Sequence, residues 1–248
     1  MEPTPQQEHI LKRKLERNDY FILIACEESQ RVTKAFYDLG FINTFSCDIV
    51  DPSGDMPNLH IKDNIWNVLK DNGTYGYTFK TLDGIYHKVP RFDMMIAFPP
   101  CTYLSGAGNH LFVHGTVESI NKRWDNRYKA LDFVKRLYEY VPIPFVAIEN
   151  PVGYLNSHWK KPSQIVQPYF FGDPWTKRTC LWLRNLPLLK KTNVVQPIFS
   201  WTDTNHGSRD RSILAPHFAR EMALQWGTFL EQNERYNRHL ETRGIKWN

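Results

Sequence analysis

The chain has 248 residues, 42% hydrophobic and 23% charged, enough for one sizeable core and without a composition break that would mark a second domain. Its formal charge of +5 is compatible with a polyanionic partner but does not require one. No apolar run approaches a membrane span, and the four cysteines are too scattered for a disulfide framework or a zinc site.

The polar start, MEPTPQQEHILKRKLER, is unlike a signal peptide, so a cytoplasmic protein is expected. Residues 6–18 suit a short exposed helix resting on Ile10 and Leu11, and residues 1–19 read as an extension to a single domain over 20–248. "YFILIA" (20–25) is an apolar run of the kind buried on both faces of a sheet. In "SQRVTKAFYDLGF", Val32, Ala35, Phe36 and Leu39 recur at helical spacing and Gly40 ends the helix. "INTFSCDIVD" is a second strand, and strand–helix–strand favours a parallel sheet.

A short helix is expected around "NIWNVLK", then a hairpin within 71–92, then a buried strand in "FDMMIAF" (92–98). "SGAGNHLFVHG" (105–115) reads as a mobile, glycine-rich lid. A helix over 126–141 places Leu131, Val134, Leu137 and Tyr138 on one face. Strands follow at 144–150 and 179–183, and a helix over 215–232 has Pro216 in its first turn.

Two of these strands end in proline-locked polar corners, Pro99-Pro100-Cys101 and Glu149-Asn150-Pro151. In open parallel sheets ligands lie beyond the carboxyl ends of the strands, so a thiol and a carboxylate are expected to face one crevice. The ordered series "FILIACEESQ", "SCDIVD", "HIKDNIWNVL", "FPPCTYLS", "FVAIENPVGYL", "QPYFFGDPWTKRTCLWL" and "RSILAPHFAREMALQWG" resembles the DNA cytosine-C5 methyltransferases, most of all their compact phage-type members.

That resemblance implies a Rossmann-like, S-adenosylmethionine-dependent methyltransferase fold, α/β with a mostly parallel sheet and helices on both faces. It implies DNA as partner, with the target cytosine flipped out, and a host or bacterial cytoplasm. By the same resemblance Cys101 is the nucleophile and Glu149 holds the N3 edge, while Lys177 and Arg178 contact the base or a phosphate. Cofactor contacts fall to Ala25, Cys26, Glu27, Asp48, Ile49, Asp63, Asn64 and Pro99. Asp63-Asn64 before an apolar helix is also an N-cap signal, and Cys26 and Cys180 also read as packing residues.

The first strand–helix turn, ACEESQ, lacks the glycines usual in the family, and the basic motif is T-K-R-T. Any recognition insert near 184–211 is reduced or absent, which implies limited specificity, a very short target, a partner, or a target smaller than duplex DNA. Amino-methyltransferases carry Asp/Asn-Pro-Pro and an aromatic residue, where this chain has Phe98 and Cys101. Other readings are transfer of a different group, action on a free nucleotide, or an inactive nucleic-acid-binding relative. His110 and His114 share a helical spacing but lack a third metal ligand. Lys160-Lys161, Lys177-Arg178, Lys190-Lys191, Arg209 and Arg211 are candidates for phosphate contact.

Overall fold

A computed structural model describes residues 17–70, 76–201 and 213–242, the side chains of 234–242 excepted. In chain order the elements are β1 (Ile22–Ala25), α1 (Arg31–Asp38), β2 (Thr44–Asp48), β3 (His60–Lys62), α2 (Ile65–Leu69), β4 (Tyr77–Lys80), β5 (Tyr86–Val89) and β6 (Met94–Ala97). They continue as α3 (Val117–Tyr138), β7 (Phe145–Pro151), α4 (Tyr154–His158), β8 (Gln164–Val166), β9 (Trp175–Thr176), β10 (Thr179–Arg184), β11 (Phe199–Ser200) and α5 (Pro216–Thr242).

Seven strands form one sheet in the order β3-β2-β1-β6-β7-β10-β8. The first five run parallel, and β10 is antiparallel to both β7 and β8. All four residues of β1 and of β6 are buried, as a sheet covered on both faces requires. Ile22, Ile24, Met94, Ile96 and Leu181 pack on one face against Val32 and Phe36 of α1 and Phe218, Met222 and Trp226 of α5. Leu23, Met95, Val146, Ile148 and Trp182 pack on the other against Ile65 of α2, Val134 and Leu137 of α3, and Tyr77 of the β4–β5 hairpin. The protein is a mixed α/β structure with helices on both sides of a mostly parallel sheet.

Three sequence readings change. The helix expected over 126–141 starts at Val117, because Thr116 caps it with a side-chain bond from Ser119 N. The segment 105–115, expected as a mobile lid, contains a 3₁₀ turn at Gly106–Phe112 docked on α3. The final helix continues well past residue 232. The helix expected over 6–18 lies mostly outside the described residues, as do Arg209 and Arg211. Among the described residues no helix is long and apolar enough to cross a membrane.

β1 pairs with β2 on one side and β6 on the other, so successive connections leave it in opposite directions. In open α/β sheets such a reversal marks the carboxyl edge as the place where ligands bind. Ala25 and Ala97 end their strands in register at this edge. β10, which runs the other way, starts there, with Thr179 opposite Pro151.

Candidate active site

Both proline corners lie on that edge and are stitched together. Asn150 Nδ2 donates to Pro99 O at 2.8 Å. Tyr154 N donates to Leu104 O at 2.7 Å, and Ser105 and Gly153 form an antiparallel bridge. The approach is so close that a Cβ on Gly153 would stand 2.1 Å from Leu104 O. Only glycine fits there. The loop carrying Cys101 and the strand carrying Glu149 therefore share one hydrogen-bonded backbone.

Lys177 electrostatically joins them. Burial lowers its ammonium from the usual lysine range, and the charges of Glu149 and Cys101, in that order, oppose the drop. Arg31, at the start of α1, pushes it down further. Burial raises the Glu149 carboxyl above its ordinary value, with Lys177 opposing. Thiol, carboxyl and ammonium are thus near enough to act on one another through their charges. Lys177 is anchored by its backbone N–H to Gln167 Oε1 at 2.9 Å and by Nζ to Ile213 O at 3.3 Å. Arg178 is exposed.

The other expected site residues line the β1–β2–β3 end. Asp48 is half-buried, and its carboxyl is raised by burial and held by the Val50 and Ile49 amides. Ile49 beside it is 70% exposed. Asp63 is exposed and close by, since its N–H donates to Asp48 O at 3.0 Å. Its carboxylate accepts from Asn64 N and from Asn67 Nδ2 at 2.7 Å. Asn64 is the N-cap of α2, accepting from Trp66 N at 3.0 Å. Ala25 and Pro99 are buried, so they offer backbone and shape.

The Glu27 side chain is taken up by the start of α1. Its buried carboxyl takes Val32 N at 2.6 Å, and Thr33 N and Oγ1 at 3.2 and 2.6 Å. It caps α1 because Gln30, the N-cap residue, has a left-handed backbone and no capping side-chain bond. Burial pushes Glu27 up to about 7. The glycine-free turn is solved by placing two ordinary residues in the left-handed region, Cys26 at φ 58° and Gln30 at φ 55°. Burial, then Asp48, pushes the Cys26 thiol up to about 12, and burial raises Cys47 and Cys180. Those three thiols are poor nucleophiles.

Several contributors were not visible in the sequence. Gln30 Nε2 donates to Ser46 Oγ at 3.1 Å and Met56 O at 2.8 Å. The buried His60 bonds Ser46 Oγ through Nδ1 and Val50 O through Nε2. This network pins the 49–56 loop beside Asp48. Arg127 is 4% exposed and bonds Tyr103 O and Asn109 Oδ1, both at 2.7 Å, under the Phe112 and Tyr154 rings. It anchors the segment that follows Cys101. No cluster of potential metal ligands occurs among the described residues. No protein-family model matches the chain, and no curated protein matches it at a significant level.

Proposed function

We propose that the protein transfers a methyl group from S-adenosylmethionine to C5 of cytosine in DNA, through a covalent Cys101 adduct. The observation that carries this reading is the stitching of the Cys101 loop to the Glu149 strand at the carboxyl edge, with Lys177 near enough for its charge to act on both. The strand order, with its reversal at β1, supports a Rossmann-like methyltransferase fold.

Cytosine C5 is too electron-poor to take a methyl group unaided. A Cys101 thiolate adding to C6 makes C5 enamine-like and nucleophilic. The Lys177 ammonium favours the thiolate and orients the Glu149 carboxyl. Burial raises the Glu149 carboxyl and so favours its protonated form, which donates to the N3 edge as negative charge develops. The C5 proton then leaves, the Cys101–C6 bond breaks and the thiolate is restored. In a duplex the base must first leave the stack.

The residues present fit the cofactor. Asp48 offers a carboxylate suited to ribose hydroxyls, and the exposed Ile49 offers an apolar face for adenine. When bound, S-adenosylmethionine supplies the electrophilic methyl group.

The test is incubation with 5-fluorocytosine DNA and S-adenosylmethionine, alongside mass spectrometry of nucleosides from unmodified DNA. A covalent protein–DNA complex that Cys101→Ala cannot form, together with 5-methylcytosine, is expected. N4-methylcytosine or N6-methyladenine instead would assign amino chemistry and overturn the reading.

A further inference from the structure

Charge is distributed unevenly along the chain. Residues 160–201 carry seven Lys and Arg against Asp173 alone, a formal +6 in a protein whose total is +5. The remainder therefore sums to −1. Asp173 is 1% exposed and bonded to His217 Nδ1 at 2.8 Å, Lys177 faces Glu149 and Arg184 bonds the Tyr140 and Ile143 carbonyls, so Lys160, Lys161, Arg178, Lys190 and Lys191 present the charge to solvent. Lys190 and Lys191 adjoin a strip that runs back along Tyr169–Trp175, through the Phe171–Asn193 bridge and a Val195 N bond to Tyr169 O.

An aromatic stack sits in the same segment. β9 and β11 pair Trp175 with Phe199. The Trp175 ring stacks on Phe199 at 5.7 Å and on Trp201 at 5.0 Å. Phe199 is 37% exposed and the adjacent Ile198 is 75% exposed. Thr176 alone separates Trp175 from Lys177, so the stack adjoins Lys177.

We infer that this segment binds single-stranded DNA, with Trp175 and Phe199 stacking an unpaired base beside the one that Cys101 attacks. Every base has a π-face, so aromatic platforms flanked by cations hold single strands with little regard to sequence. Among the described residues, 160–201 contain no α-helix to lay in a major groove, and the β9–β11 ribbon is two residues long. The inference rests on the cytosine reading for the base at Cys101, but binding is measurable without catalysis.

The experiment is fluorescence anisotropy of a labelled cytosine-containing oligonucleotide, single-stranded or annealed, with the full chain carrying Cys101→Ala and no cofactor. The single strand should bind more tightly than the duplex, and Trp175→Leu and Phe199→Leu should each weaken it at least about fivefold. Equal or tighter duplex binding, or unchanged single-strand affinity in the variants, overturns the inference. If Trp175→Leu loses its circular dichroism signal, the more exposed Phe199 decides. Aromatic-dependent binding without methylation of any DNA would remove the catalytic reading and leave this one standing. Methylation of duplex DNA with the variants unimpaired would do the reverse.

Discussion

Glu149 shows how a single side chain acquires its role from its surroundings. A solvated glutamate is ionised at neutral pH and cannot donate a hydrogen bond. Burial raises this one, and Lys177 limits the rise without cancelling it. The protonated form is the useful one, so kcat/KM should fall as pH rises through the elevated Glu149 pKa. Glu149→Gln should lower kcat by about 10²–10⁴ and erase that limb of the pH–rate profile. A profile of unchanged shape in the variant would assign the titration to another group.

The turn from β1 to α1 and the corner after β7 make separate demands on the backbone. Glu27 caps α1 from outside the helix, and its carboxyl is raised from 4.5 to about 7 by burial. A carboxyl that holds its proton more tightly when folded adds stability below its unfolded pKa and loses it as pH rises. The stability of the wild type relative to Glu27→Gln should therefore decline between pH 4.5 and about 7, by on the order of 3 kcal/mol, in urea titrations. Gly153→Ala should force the Leu104 carbonyl away and separate the two corners. We expect kcat to drop at least about tenfold, since small misplacements of reacting groups are costly, with cofactor affinity by calorimetry nearly unchanged. Equal kcat would mean the corners need not touch.

These same elements show what a reader of the sequence can and cannot see. "FILIA" and "MMIA" announce buried strands because each residue's own polarity is the signal. The Pro-Cys and Glu-Asn corners are legible because their chemistry is contiguous. The capping role of Glu27 is hidden in the sequence because its partners, the Val32 and Thr33 amides, reach it only through two left-handed residues. Nothing local distinguishes Gly153, whose constraint comes from Leu104, or Arg127, whose acceptors lie 24 and 18 residues away. β3, β8, β9 and β11 are two or three residues long, too short for an alternating pattern to register.

Taken together, the two corners and Lys177 gather at the carboxyl edge, while the cations of 160–201 reach both ends of β10, from Arg178 just before it to Arg184 at its last residue. Seven cations against one acid in 160–201, over a nearly neutral remainder, weight the charge of the protein toward one stretch of the chain. In the field of a polyanion an unevenly charged molecule experiences a torque as well as an attraction. Collisions should be oriented before surfaces meet, so fewer of them are wasted. Stopped-flow association rates with DNA should accordingly fall steeply as salt is added, while Lys190→Gln/Lys191→Gln should flatten that dependence. A rate insensitive to ionic strength would mean that encounter is unguided and that the clustering of cations does nothing until after contact.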